Sequence, residues 1–464
     1  MTELSPASSA PVSAAAGAPA RGSLRELVQL GLPLVLTSLT TTLMGIVDAA
    51  FIGRLGAAEL GGAAFANIWS WTVFSLFLGS ANAVQTFVSQ AQGAGDERRC
   101  GSWVWQGLWS IAPPTALAAL AAFFATPVLL PAVLRLVGSA PELAQPAVDY
   151  LQPRAIGMIA LGVVFVWNSF FRGVGLTKIP LYAGLIANLT NAAGAYALVF
   201  GHFGAPRLGV AGAAIATSAS EFLYAGILFA VAARPSLRAR FDTRPHAPNA
   251  HALRRLVRTG LPIGAQWVFD SLSFAVFTLL LSSISAASVA ASHSFIMLVN
   301  VSFMLALGVS GATQTLVGRA VGAREFELAV TALKNGLRVA LAFSTALAVG
   351  LTAAPALLMR IFTDDPDVLA LGVGVLRLGA IFQLLDATHI VAMGALRGAG
   401  DTAWPAAWQT ALAWLVFLPL SWFLGNHLGY GLIGAYAGGT VYVALLAGGL
   451  LWRFASGKWR DVRI

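Results

Sequence analysis

Twelve apolar runs, each long enough to cross a bilayer, take up most of this chain and decide what it can become. Six lie near Leu27–Gly53, Leu60–Val88, Trp103–Leu130, Val148–Phe171, Pro180–Gly201 and Gly209–Ala232. After a polar gap, six more lie near Leu256–Ser283, Val289–Val317, Leu333–Met359, Val368–Gly394, Trp404–Leu424 and Leu432–Phe454. A bilayer core is spanned by roughly 20 apolar residues in an α-helix. Only 10% of the 464 residues are charged, against about 25% in an average soluble domain, too few to cover a water-facing surface. A mean hydropathy of +0.77 agrees. The expected fold is an all-α integral membrane protein with twelve transmembrane helices. Soluble enzymes, disordered scaffolds and disulfide-stapled secreted folds are excluded.

The net charge of +9 does not point to nucleic acid, because the basic residues are spread through short loops and form no single stripe. Of the 28 Lys and Arg, 22 fall in the two ends and in the loops after even-numbered spans. By the positive-inside rule both termini are expected in the cytoplasm, with the protein in the cell inner membrane. The expected organisation is a disordered cytoplasmic tail over 1–22, without the pattern of a signal peptide, and a six-helix lobe over 23–233. A basic cytoplasmic linker over 234–255 leads to a second six-helix lobe over 256–455 and a tail over 456–464. Topology and anionic lipid account for the seven arginines from Arg234 to Arg258. The single cysteine, Cys100, excludes an intramolecular disulfide and a multi-thiolate metal site. Trp103, Trp105, Trp404, Trp452 and Trp459 fall at the cytoplasmic edge, where an interfacial belt explains them.

The two halves repeat each other. Gly31-Leu32-Pro33 returns as Gly260-Leu261-Pro262, a shift of 229 residues, and at the same shift Gln85-Thr86 matches Gln314-Thr315. Further along the shift becomes 225: Arg172-Gly173-x-Gly175-x-Thr177 matches Arg397-Gly398-x-Gly400-x-Thr402. These two Arg-Gly segments read as cytoplasmic turns. Six spans per half is an even number, so both halves enter the membrane in the same direction. That makes them parallel repeats about a pseudo-two-fold axis along the membrane normal, with a cavity expected between them.

Four acidic residues lie within spans: Asp48, Glu221, Asp270 and Asp386. A carboxylate at membrane depth costs a few kcal/mol on insertion scales, so its default reading is functional. Such a group can exchange a proton or Na⁺ for a cationic compound, and competition for one site is the simplest basis for antiport. Thr37, Thr41 and Met44 precede Asp48 at helical spacing and predict a polar stripe toward a cavity. The repeat does not duplicate these acids. Asp48 aligns with Phe277, Asp270 with Thr41, and Asp386 with Leu161.

The chain resembles the multidrug and toxic compound extrusion (MATE) family, NorM/DinF-like, over nearly all of its spans. The resemblance is carried by Gly31-Leu32-Pro33 leading to Val47-Asp48-Ala49-Ala50-Phe51-Ile52-Gly53-Arg54, and by Gln85-Thr86-x-x-Ser89-Gln90. Asn188-x-x-Asn191 and Leu396-Arg397-Gly398-Ala399-Gly400-Asp401-Thr402 complete it. It implies a cation-coupled antiporter that takes in H⁺ or Na⁺ and exports organic, often cationic, compounds, with no cofactor beyond the coupling ion. Asp48, Asn188, Asn191, Thr37, Thr41, Asp270, Asp386 and Glu221 are the implied coupling and substrate residues, with Asp270 and Asp386 as Na⁺ ligands. One departure stands out. Proton-coupled relatives carry an Asp four residues after the position of Asn191, where this chain has Ala195.

Competing readings fit less well. A lipid-linked sugar flippase of the same wider fold is expected to carry cationic residues in its cavity, and here the intramembrane charges are chiefly acidic. A membrane-embedded enzyme needs a convergent nucleophile, base or metal set, and the six His are scattered. Membrane lipid and a small-molecule substrate are the expected partners, with the protein a monomer.

Overall fold

The structure is a computed structural model that describes residues 20–136 and 141–462. Most of the tail expected over 1–22 and the last two residues lie outside the described residues. Among the described residues, twelve helices are long and apolar enough to cross a membrane. They are numbered α1 (Leu24–Gly53), α2 (Ala57–Gly93), α3 (Arg99–Leu136), α4 (Ala144–Gly173), α5 (Lys178–Phe200) and α6 (Gly209–Ala232). The second half comprises α7 (Ala250–Ile284), α8 (Ala286–Gly322), α9 (Phe326–Ala353), α10 (Pro366–Ala399), α11 (Ala403–His427) and α12 (Gly431–Ala455).

Local chemistry sets the helix ends. Ser23 caps α1 by accepting from the Glu26 amide, and the Glu26 carboxylate accepts in turn from the Gly22 amide at 2.7 Å, a reciprocal capping arrangement. Asn249 caps α7, Ser285 caps α8, and Asp365 caps α10. Because α7 begins at Ala250, its first turns already carry Arg254, Arg255 and Arg258. Pro33 and Pro262 sit inside continuous helices. In α11 the helix widens to a π-turn over Ala413–Phe417, just before Pro419, whose ring nitrogen has no hydrogen to give.

The helices form two lobes, α1–α6 and α7–α12, with α4 and α10 at their centres. Each lobe also receives the start of the other's first helix. Leu27, Leu30 and Leu34 of α1 pack into the core of the second lobe, while Leu256 of α7 packs into that of the first. Phe124 and Leu415 are 73% and 75% exposed, as side chains that meet lipid should be. Lipid tails are as apolar as leucine, so helix association here depends on close packing and on hydrogen bonds between helices.

Both devices are concentrated where the lobes meet, at the end that carries the 94–98, 174–177, 323–325 and 400–402 turns. Gln85 Nε2 donates to Thr315 Oγ1 at 3.0 Å, and Thr315 donates on to the Arg172 carbonyl at 3.1 Å. Its repeat-mate Gln314 donates to Thr86 Oγ1 at 3.2 Å, and Thr86 donates to the Arg397 carbonyl at 2.8 Å. Gln90 reaches the Gly398 carbonyl as Arg319 reaches that of Gly173. Gly93 has no room for a Cβ against the Arg319 carbonyl, nor has Gly322 against that of Gln90. This latch is the sequence repeat expressed as contacts. Arg172 and Arg397 accordingly sit in the last helical turns of α4 and α10, and not in loops as their glycines suggest. Toward the opposite end, Leu43 of α1 and Met297 of α8 are exposed.

Candidate coupling sites

The first lobe gathers one polar cluster around Asp48. This residue lies near the end of α1 and is only 7% exposed. Its Oδ1 accepts from Asn191 Nδ2 of α5 at 2.8 Å, and its Oδ2 lies 3.0 Å from Thr217 Oγ1 of α6. Thr217 is also 2.9 Å from the Ala213 carbonyl. Asn188 braces the same helix pair by donating to the Thr40 carbonyl at 2.9 Å. The expected threonine stripe does not reach the carboxylate: Thr37 and Thr41 donate back to the carbonyls of Pro33 and Thr37. Back-bonding of this kind loosens and bends a helix, and it fills the stretch of α1 between Pro33 and Asp48.

Glu221 is paired. Arg154 of α4 donates to its Oε2 at 2.7 Å, and Arg154 is 5% exposed. Tyr150, one turn before Arg154, and this ion pair all lie within electrostatic reach of Asp48. Sequence reasoning missed Thr217, Tyr150 and Arg154. The arginine carried a signal, since a cation well inside an apolar helix needs a partner, but its apolar run begins only six residues earlier.

In the second lobe, Asp270 of α7 accepts from Gln409 Nε2 of α11 at 2.7 Å and lies 3.5 Å from Gln266 Nε2. Gln266 accepts in turn from Arg397 Nη2 at 2.9 Å. Asp386 lies on α10 with His389 Nδ1 at 3.4 Å. Gln383, one turn before Asp386, is 1% exposed, and neither atom of its amide has a hydrogen-bond partner among the described residues. No contact joins Asp270 directly to Asp386 among the described residues, although the Tyr442 hydroxyl lies within electrostatic reach of both. Among the described residues no group of three His, Cys, Asp or Glu converges as a metal site would require.

The repeat makes the two sites complementary. Where the first lobe has Asp48, the second has Phe277, packed against Phe417 with ring centroids 4.8 Å apart.

Comparison with known proteins gives this arrangement a lineage. The MatE family model matches residues 33–197 and again 262–423, starting at the two equivalent prolines. The chain belongs to the MatE family. It is 32% identical to the multidrug resistance protein PmpM of Pseudomonas aeruginosa over 87% of this chain and 84% of that one. It is 29% identical to a probable multidrug resistance protein NorM of Thermotoga maritima over 94% and 93%. Among solved structures, the eukaryotic MATE transporter AtDTX14 superposes with a TM-score of 0.83 at 19% identity, covering 94% of this chain and 96% of that one. The Vibrio cholerae MATE transporter VcmN in its bent form gives 0.82 at 20% identity, covering 93% and 96%. The protein is thus a NorM-like MATE antiporter, a multi-pass membrane transporter and not an enzyme.

Proposed function

We propose that this MATE protein exports organic, often cationic, compounds across the cell inner membrane in exchange for protons, with Asp48 as the proton carrier. One observation carries the choice of ion. The Thr217 hydroxyl has a single proton and lies at hydrogen-bond distance from two oxygens, Ala213 O and Asp48 Oδ2. When it donates along its own helix, as threonines commonly do, the contact with Asp48 needs a proton from the carboxyl group. Loss of that proton to the far side, and entry of a cationic compound into the space between the lobes, gives exchange by competition. The basic latch end faces the cytoplasm in this reading, with both termini on that side and the protein working as a monomer.

A second reading is Na⁺ coupling in the other lobe. It draws on Asp386 and the unpartnered amide oxygen of Gln383, oxygen donors of the kind a hard cation takes.

The test is efflux of a fluorescent organic cation from liposomes under a pH gradient and, separately, a Na⁺ gradient. Transport driven by the pH gradient and lost in Asp48→Asn is the expected result. A Na⁺ requirement with loss confined to Asp270→Asn and Asp386→Asn replaces the first reading with the second. The absence of any gradient-driven cation transport overturns both.

A further inference from the structure

We propose that Arg154 and Glu221 are positioning residues for the Asp48 site, a buried ion pair that sets the charge facing Asp48 and brings in the second carboxylate of the first lobe from α6. The inference rests on the reading of Asp48 as the proton carrier.

The geometry is built from three fixed contacts. Thr217, which touches Asp48, and Glu221, which binds Arg154, are one turn apart on α6 and so share a face. Ser218 Oγ donates to the Pro153 carbonyl at 3.1 Å, holding that face of α6 against α4 beside the pair. Gly157 of α4 has no room for a Cβ against Ser218, so the helices cannot part without losing both bonds. The place where the family pattern has a helix 5 acid is Ala195, which is fully buried. The acid missing there is replaced by one that arrives with its own cation.

The charged or titratable groups around Asp48 are few. From α4 come Arg154 and Tyr150, and from α6 comes Glu221. The α5 face contributes the neutral amides Asn188 and Asn191. At the α1–α2 turn the Glu59 carboxylate folds back over Gly56, and α8 meets α1 at the other end, where Val35 closes on Gly308. The pair is neutral as a whole, so the cluster holds one net negative charge when Asp48 is ionised and none when it is protonated. Arg154 also keeps a buried Nε without a partner among the described residues, so its charge is not spent entirely on Glu221.

The two halves of the pair therefore act on Asp48 with opposite sign. In Glu221→Gln the uncompensated guanidinium favours the Asp48 carboxylate, and the pH of half-maximal transport falls. In Arg154→Met the bare Glu221 opposes it, and that pH rises. Each displacement is expected to be on the order of one pH unit. The double variant Arg154→Met with Glu221→Gln returns toward the wild-type profile, because the buried pair is removed as a unit. A role confined to packing α4 on α6 predicts no opposed shifts.

The experiment is the pH profile of organic-cation efflux in liposomes for these three variants, with Asp48→Asn alongside. Shifts of opposite direction that cancel in the double variant are the expected result. Singles that fold and keep the wild-type profile, or shift in the same direction, overturn the proposal. Should either single fail to fold, Arg154→Glu combined with Glu221→Arg keeps the pair neutral and carries the test: a displaced profile supports the proposal and a wild-type one overturns it. If Asp48→Asn transports normally, the proton-carrier reading itself has failed. If it is inactive while the pair variants keep the wild-type profile, only the present inference has.

Discussion

Phe277, the residue that the repeat pairs with Asp48, packs against Phe417 with ring centroids 4.8 Å apart and the rings tilted by 37°. Two lobes with one inherited plan have placed an apolar contact where the other has a hydrogen-bonded carboxylate. Tyr436 closes the aromatic side edge-on to Phe277 at 5.5 Å, and its hydroxyl is 2.6 Å from that of Ser292. The aromatic group is core, and the polar group is the one that holds a carboxyl.

Paired substitutions separate these roles. Asn191→Leu removes the amide that donates to Asp48, and a hydrogen bond to a charged acceptor contributes about 1.5–3 kcal/mol. Coupled transport is expected to fall roughly tenfold or more, with thermal stability in detergent little changed. Phe417→Leu is expected to do the reverse, lowering stability by about 1–2 kcal/mol while keeping the ion dependence. Loss of transport in both, or in neither, contradicts the division.

The latch gives a second prediction. Thr86→Val and Thr315→Val remove two hydroxyls that each pass a hydrogen bond from one lobe to a carbonyl of the other. At about 1 kcal/mol per bond, the double variant should favour opening of this end roughly thirtyfold. The measurement is aqueous thiol labelling at Ser89→Cys, a fully buried position in the seam, in a Cys100→Ala background. Labelling rates equal to those of the parent would show that the latch does not hold the lobes.

How much of this was legible in the sequence follows from what each residue contacts. The twelve spans and the repeat were legible because apolar length and a constant register are properties of the chain alone. The Leu396–Thr402 motif was visible too, but its use was not. Its carbonyls at Arg397 and Gly398 accept from the other lobe, and Asp401 pairs with Arg453 at 2.8 Å, contacts that join residues far apart in the chain. Thr217 and Arg154 escaped because each partner lies on another helix. The edge tryptophans misled for the opposite reason. Trp103 and Trp459 are buried, and Trp105 donates to the Thr243 carbonyl, so three of the five expected belt residues are packing or pinning groups.

The segment between the lobes is pinned in a way that depends on pH. Arg240 binds Glu97 through two bonds, at 2.7 and 2.8 Å, and those bonds hold the Glu97 carboxyl below its ordinary value of 4.5. A carboxyl depressed in the folded state adds stability above its unfolded value and loses it as the pH falls through the folded one. The pair is partly solvent-exposed, so its contribution is small. Proteolysis within the 242–249 stretch is expected to quicken as the medium becomes acidic, and Glu97→Gln should show the quickened rate already at neutral pH. Equal rates in the two proteins at neutral pH would assign the pinning to Trp105, Gln106 and Trp109, whose side chains donate to the carbonyls of Thr243, Ala247 and His246.

In the second lobe, Arg397 serves the carboxylate and the latch at once. Its guanidinium donates to Gln266, which faces Asp270, while its carbonyl accepts from Thr86 across the lobe interface. A change at Asp270 therefore has a short physical route to the contacts that keep the lobes together, through one amide and one turn of α10. Gln266→Leu interrupts that route and leaves Gln409 in place as the donor to Asp270. The expected outcome is a fall in turnover of roughly tenfold, the value of about one charge-assisted hydrogen bond, with the affinity for an organic cation nearly unchanged. Gln409→Leu strips the closest donor from Asp270 and should weaken cation affinity as well. Equilibrium binding and transport rate measured on the same reconstituted preparations distinguish the two. A Gln266→Leu protein that loses affinity at full turnover would place Gln266 in the binding site and remove it from the route to the latch.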